Sequence, residues 1–483
     1  MKSNTSNRRE FVKKSGLGVL GIALAPSLLG KMAQKGRLRT AHIGVGGMGK
    51  ADLDAITSHD LVEVVALCDV DSNNLVKALK LHPNARTYAD YRLMLREMSN
   101  GIDAVIVSTP DHTHAPASIM AMEMNKPVYC QKPLTHHVSE ARAMKKLATE
   151  KNLVTQMGIQ VHSFYDYKLA TLLIQNGIIG KVHTVHAWSP KNWGYDGELP
   201  MGNDPIPENL DWNLWLGTAT DRPYKDKIYH PGNWRKLMDF GCGTLGDMGV
   251  HIFDTPYNAL ALDVPKTIKN ECREPNGFGY PEKNTVTYKF PGTPYTAKTL
   301  KWVWYDGPGV PGMHKDLKLP NAMDSVKKKE KTKTKEASMA DKISLETAKT
   351  MEGKLPGQGA MFVGEKGRLL LPHFMELPRK IVDGEYVDIS DEIVQISKAN
   401  GLGDPVRNYE SEGPKHYHEF VDACLGNGTC SAPFSYASRL TETILLGVIA
   451  GRFPNKTLHW DAETAQFSEK EANAYLKGDY RKF

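Results

Sequence analysis

The chain has 483 residues, 41% hydrophobic and 24% charged, with a formal net charge of +6. Its length exceeds what one core serves, so two domains are expected in a chain of ordinary soluble globular composition. The charge sits in two places: residues 1–25 carry Lys2, Arg8, Arg9, Lys13 and Lys14 against Glu10, and residues 327–336 carry six lysines against Glu330 and Glu336. The remainder is slightly acidic, which excludes the broad basic footprint a nucleic-acid partner requires.

Residues 1–30 read as an export signal. Arg8-Arg9 precede Phe11, an apolar run covers residues 16–25, and Ala23-x-Ala25 offers a cleavage site. The run is too short to remain as a bilayer anchor, so no membrane association of the mature form is expected. Paired arginines before a mildly apolar, glycine-containing run resemble a twin-arginine signal, with Asn7 where Ser or Thr is usual. A periplasmic location follows as an expectation.

From residue 38 to about 157 apolar strands alternate with helical patterns: 38–43, 61–68, "IDAVIVS", "PVYC" and "LVTQM". Such alternation predicts a parallel, doubly wound Rossmann sheet over 38–157, with ligands collecting outside the carboxyl ends of its strands. The first strand runs into Gly44-x-Gly46-x-x-Gly49. The same spacing recurs at Gly16/Gly18/Gly21 and Gly241/Gly243/Gly246, so the pattern alone is weak. Only the copy at 44–49 has a strand before it, a helix after it, and an acid, Asp69, at the end of a second strand. That context predicts a dinucleotide site in which Asp69 meets a ribose diol and disfavours a 2′-phosphate, hence NAD, with NADP the alternative. The expected cofactor contacts are Gly44, Gly46, Gly47, Met48, Gly49, Asp69, Thr109, Pro110, His114, Gln131 and Lys132, all on one rim. A tightly held cofactor fits a pathway that carries folded proteins.

Beyond residue 158 the strand-like runs "KVHTVHAW", "NTVTYKF", "AKTLKWVWY" and "GRLLLP" suit a mostly antiparallel sheet. This predicts a second, α+β, substrate-binding domain over 158–460, with helices near 415–425 and 436–451 and a tail over 461–483. The charged stretch 324–350 lacks an apolar stripe and reads as an exposed insertion, partly helical or disordered. Of the six cysteines, Cys68 and Cys130 read as free core thiols; Cys424 and Cys430 are close enough in sequence to pair. His42, His136 and His137 read as structural or surface residues.

Two constellations carry chemistry. Lys132, in "YCQKPLT" on the cofactor rim, is placed to hold a substrate hydroxyl and relay its proton. Asp247, His251 and Asp254 stand at i, i+4 and i+7, sharing one face if the segment is helical; His251 is then a base near neutral pH. Thr244-x-x-Asp247 is equally a capping box, which would make Asp247 structural. Metal binding by Asp247 and His251 lacks an evident third ligand, and no metal site is expected. The sugar contacts expected are His162, His230, Trp234, Arg235 and Asp247, an aromatic face suiting a pyranose and Arg suiting its hydroxyls. The loop 191–208 is placed to shape substrate entry.

The ordered set "GVGGMG", "CDVD", "STPDHTH", "CQKPLT", "NWR" and "GDMGVHIFD" resembles the Gfo/Idh/MocA family, the glucose-fructose oxidoreductase and inositol dehydrogenase group, from residue 38 to the end. The resemblance implies a catalytic lysine at Lys132, an Asp-x-x-x-His pair at Asp247 and His251, and a second domain whose open sheet covers the nicotinamide and binds a sugar or cyclitol. The chain departs at Gln131, where the family usually has Glu, so the charge beside the lysine is altered. Hydride transfer between a sugar, glycoside or cyclitol carbon and the nicotinamide is the expected activity. The alternative is redox-assisted glycoside cleavage through a transient 3-keto sugar and elimination. Self-association is expected from an open sheet face.

Overall fold

The computed structural model describes residues 36–320, 338–349, 353–405 and 408–483. The expected export signal lies outside the described residues. Two sheets organise the rest, both within the unit Arg37–Phe483. The first is parallel, in the order β3-β2-β1-β4-β5-β6, with β1 Leu38–Ile43, β2 Val62–Cys68, β3 Arg86–Tyr88, β4 Ala104–Val107, β5 Val128–Cys130 and β6 Thr155–Met157. Helices α1 Met48–Thr57, α2 Ser72–Leu81, α3 Tyr91–Glu97, α4 Asp111–Glu123 and α5 Val138–Glu150 link them. Ala41, Ala66, Val105 and Val128 are wholly buried, as strands covered on both faces require. Chain order reverses between β1 and β4, opening a crevice at their carboxyl ends. β3 escaped the sequence reading because it is three residues long and two of them are exposed.

The second sheet has ten strands in the order β14-β13-β12-β11-β7-β10-β9-β8-β15-β16. They are β7 Val182–Ser189, β8 Thr267–Glu271, β9 Asn284–Pro291, β10 Thr296–Asp306, β11 Gly359–Gly364, β12 Gly367–Pro372, β13 Arg379–Val382, β14 Glu385–Val387, β15 Thr457–Asp461 and β16 Gln466–Phe467. β7 and β10 pair in parallel; the other neighbours are antiparallel. On one face Val185, Ala187, Trp302, Trp304, Ala360 and Phe362 enter the core shared with α6 Tyr165–Gln175, α7 Val250–Ala259 and α9 Phe434–Ala450, while α8 Lys415–Cys424 packs on α1.

The structure places the cysteines, the charged stretch and the histidines. All six cysteines are free, Cys424 and Cys430 included. The charged stretch is described only in part: Met339–Lys349 is a helix that buries Ile343, so it is docked rather than wholly exposed. His42 and His136 are buried, His42 beside the Thr40 hydroxyl at 3.1 Å and His136 beside the Gly241 carbonyl at 3.1 Å. No helix among the described residues is long and apolar enough to cross a membrane.

Candidate active site

The crevice of the parallel sheet opens into a cavity of about 690 Å³ that runs across to residues of the second domain. The glycine turn forms one wall. Gly44 has φ +82°, and a Cβ there would stand 2.5 Å from the Ser108 carbonyl oxygen; at Gly46 a Cβ would stand 2.2 Å from the Asn74 side chain. These are positions where backbone must pass closely, as a pyrophosphate needs. α1 begins after Gly47 with no side-chain cap; the Gly49 N–H turns back to the Gly46 oxygen at 2.9 Å, and the helix N-terminus borders the cavity at Gly47 and Met48, where it favours an anion. Asp69 accepts from the N–H of Val45 and of Asp71, each at 2.9 Å, and so fixes the turn while still bordering the cavity. The residues therefore fit a dinucleotide.

Of the cofactor contacts expected, Gly44, Gly46, Gly47, Met48, Asp69, Thr109, Pro110, His114, Gln131 and Lys132 line the cavity. Gly49 does not: it is packed under the turn, where a Cβ would meet the Gly44 carbonyl oxygen. His114 acts as a cross-brace, its ring nitrogens each 2.8 Å from a carbonyl oxygen, one of Pro133 and one of Thr109. Asp71, Asn74, Ser108 and Tyr91 also border the cavity and were missed. Asp71 and Ser108 stand inside the quoted "CDVD" and "STPDHTH" runs, while Asn74 and Tyr91 sit at helix starts in no recognisable motif.

Lys132 points at Asp247, its Nζ donating to Oδ1 and to the backbone oxygen, both at 2.9 Å. The other carboxylate oxygen of Asp247 accepts from the Trp193 indole at 2.6 Å, and Arg235 approaches to 3.5 Å. Burial opposes charge at Asp247, but Lys132, Arg235 and Lys191 together hold its carboxyl well below the usual range. It is an anion that anchors the lysine. The capping-box alternative is not adopted: the Thr244 hydroxyl instead accepts from the Trp193 backbone N–H at 2.7 Å, and Thr244 makes no side-chain cap.

The shared helical face is also corrected. Leu245–Gly249 is a π turn running into α7, so its residues follow a wider spacing than an α-helix gives. Among the described residues no hydrogen bond joins Asp247 to His251. His251 borders the cavity with its Nδ1 unpartnered, and burial, with Lys132 and His373 adding, keeps its ring neutral far below the ordinary imidazole range. Asp254 is 1% exposed and turned away, accepting from the Tyr436 hydroxyl at 2.7 Å and lying 2.9 Å from His162 Nδ1. This removes His162 from the expected sugar contacts: it pairs with Asp254 and does not line the cavity. His230, Trp234 and Arg235 do line it, with the Arg235 guanidinium 4.3 Å from the Trp234 ring centre and 5.6 Å from that of Trp193. The start of the 191–208 loop is thus part of the site.

Three features were not foreseen. His373, just after β12, enters beside His251 with ring centres 6.2 Å apart, and burial together with Lys191 and Lys132 pushes it down to about 4. Phe164, Phe374 and Tyr409 add an aromatic wall. Behind Gln131 stands Asp52, fully buried, accepting from Gln131 Nε2 at 2.9 and 3.0 Å, from Ser108 at 2.6 Å and from Tyr417 at 2.8 Å. Thus, although Gln131 is neutral, a buried carboxyl lies one hydrogen bond behind it.

Comparison with known proteins agrees with this layout. Residues 38–159 match the model described as oxidoreductase family, NAD-binding Rossmann fold, and residues 167–283 match that of the same family's C-terminal alpha/beta domain. A glycosyl hydrolase family 109 protein of Shewanella pealeana is 29% identical over 203 residues, 36% of this chain and 44% of that protein. An inositol 2-dehydrogenase of Rhodococcus erythropolis is 31% identical over 192 residues, 38% of this chain and 54% of that protein. The matches thus span about half the length of these relatives. The crystal structure of myo-inositol dehydrogenase from Lactobacillus casei with NAD(H) and myo-inositol superposes with a TM-score of 0.53 at 16% identity, covering 88% of this chain and 97% of that one. The glycine turn, the uncapped α1 and the two family matches, one to each domain, make this chain an NAD-binding member of the Gfo/Idh/MocA oxidoreductase family.

Proposed function

We propose that the chain oxidises and reduces a hydroxyl-bearing carbon of a sugar, glycoside or cyclitol. The observation that carries this reading is Lys132 held by Asp247 in the cavity that also contains the glycine turn and His251. When bound, NAD supplies the hydride acceptor. An ammonium has three donors, and Asp247 takes two from Lys132, leaving one for a substrate oxygen. His251, a neutral imidazole bordering the cavity, takes the hydroxyl proton as the carbinol hydrogen leaves with its electron pair. Trp234, Arg235 and His230 hold the ring, and Trp193 fixes Asp247 from the far side.

A second reading is redox-assisted glycoside cleavage, favoured by the similarity to the family 109 glycosyl hydrolase protein. The same residues serve it: transient oxidation at C3 acidifies the C2 hydrogen, a base takes that proton as the aglycone leaves C1, water adds to C1 while C2 regains a proton, and the hydride returns to C3. The protein is incubated with an aryl glucoside and no added cofactor, and the products are identified by mass spectrometry. Aglycone released over many turnovers establishes the cleavage reading; at most one equivalent of keto-glycoside, with bound nicotinamide left reduced, establishes the dehydrogenase. No redox change with a broad panel of glycosides and cyclitols overturns both. We further propose export through the paired arginines of residues 1–30, with a periplasmic mature form, and self-association of the chain; cell fractionation and light scattering test these.

A further inference from the structure

The ten-stranded sheet has a second face, away from the helices. Trp188, Met361, Val363, Leu370 and Ile381 make it apolar, and the segment 307–320 after β10 crosses it, adding Leu317 and Leu319. On this apolar face β7 presents His186, an imidazole 1% exposed. The crossing segment brings His314 and Asp316 over it. His186 Nε2 lies 3.3 Å from Asp316 Oδ2, and His314 Nδ1 lies 3.6 Å from the same oxygen. One ligand atom from each of the three residues lies within 4.8 Å of the other two.

The His186–Asp316 contact is a long hydrogen bond whose length is also that of the edge of a tetrahedral metal site. A charge-assisted imidazole–carboxylate hydrogen bond settles at about 2.7–2.9 Å. Two donor atoms each about 2.0–2.1 Å from one tetrahedral ion stand about 3.3–3.4 Å apart. The His186–Asp316 separation matches the tetrahedral edge. The other nitrogen of His186 lies 3.0 Å from the Tyr305 hydroxyl, the outer-shell support that a ligating histidine uses to fix its ring. The loop is held in place independently: Arg368 donates to the backbone oxygens of Asp316 at 2.5 Å and Lys318 at 2.9 Å; His314 Nδ1 accepts from the Asp316 N–H at 3.2 Å, so Nε2 is the nitrogen that His314 has left for an ion.

We propose that His186, His314 and Asp316 bind a divalent transition-metal ion of the zinc class, with the fourth position held by water. Two imidazoles and one carboxylate suit zinc or its late first-row neighbours rather than magnesium or calcium. His314, 38% exposed at its side chain, gives the ion an entry path. None of the three residues lines the cofactor cavity, so the ion's work is to pin segment 307–320 across the sheet. The proposal replaces the expectation that the chain binds no metal, and it stands independently of the hydride chemistry.

Full-length protein freed of metal with EDTA is titrated with Zn²⁺ by calorimetry, alongside His314→Ala, Asp316→Asn and, as a control, His183→Ala, an exposed histidine on the same strand. The expected result is one equivalent per wild-type chain and per His183→Ala chain, an affinity at least tenfold weaker in the other two variants, no heat with Mg²⁺, and a zinc-dependent rise in Tm confined to wild type and the control. Absence of zinc binding by wild type, equal affinity in His314→Ala, or loss of binding in His183→Ala overturns the proposal. His314→Ala removes an exposed side chain, so it keeps the test decisive if Asp316→Asn fails to fold.

Discussion

At the residue scale the site turns on charges that burial would otherwise suppress. Lys132 and Asp247 are 14% and 12% exposed at their side chains and each is the other's nearest counter-ion. Lys132→Met therefore removes both the donor to substrate and the partner of Asp247. We expect kcat to fall by about 10²–10⁴ with NAD still bound, measured by single-turnover oxidation and by cofactor retention on gel filtration. Unchanged turnover would remove Lys132 from the chemistry. Asp52 gives a pH prediction. Burial pushes its carboxyl up to about 6 against the pull of Ser108, Tyr417 and Gln131. A raised folded-state value means that its stabilising contribution is full below the ordinary carboxylate range and is lost as pH rises through about 6. Asp52→Asn cannot ionise, so relative to wild type it gains on the order of 3 kcal/mol between pH 4 and 7 in urea denaturation. A gap between the two proteins that does not change with pH contradicts this.

Much of this scale was legible. Lys132 and the 44–49 glycines announce themselves because a strand end followed by Gly or by Lys-Pro is a local signal. His373 and Trp193 carried none: one follows an ordinary strand and the other sits in a loop, and they reach the site only because β12 and β7 lie close together in one sheet. His162 failed for the opposite reason. Its type suited sugar binding, but the buried carboxylate of Asp254 claims it.

At the element scale the glycine turn and the π turn are the two irregular pieces that the cavity requires. Gly44→Ala meets both a positive φ and a backbone oxygen 2.5 Å away, so it must move the β4 end. We expect loss of about 1–3 kcal/mol and of bound NAD, read by thermal denaturation and cofactor absorbance. Thr244→Val leaves the Trp193 N–H without its acceptor and loosens the Trp193 clamp on Asp247. A stability loss of about 1–3 kcal/mol with a raised KM is expected; wild-type values for both would refute the clamp. Period-3.6 reasoning put Asp247, His251 and Asp254 on one α-helical face. The π turn breaks that period, and no local residue pattern marks a π turn because it is favoured by what the side chains meet across the fold.

At the scale of the whole molecule α5 of the parallel domain lies against α9, and Glu442 ties them. It is 0% exposed, accepting from Arg142 at 2.7 and 3.0 Å, from Arg439 at 2.8 Å and from the Trp460 indole at 3.1 Å. Removing it leaves Arg142 without its carboxylate partner, while Arg439 keeps its pair with Asp263 at 2.6 and 2.8 Å. Glu442→Ala is expected to cost about 1–3 kcal/mol and to lower Tm accordingly, with bound NAD retained. A change below 1 kcal/mol would show that the junction rests on apolar packing alone.

Sequence by itself determined what is local or periodic: the strand–turn–helix of the nucleotide site, the alternation that makes a parallel sheet, the apolar runs of β7, β9, β10 and β12, and the chemistry available at Lys132, Asp247 and His251. Tertiary structure decided what depends on contact between distant residues. Lys132 and Asp247 are 115 positions apart, and His186 and Asp316 are 130 apart. Contacts at such separations are chosen by how β-strands register and which face each side chain occupies, and a period-2 pattern gives the faces of a strand without naming its neighbour.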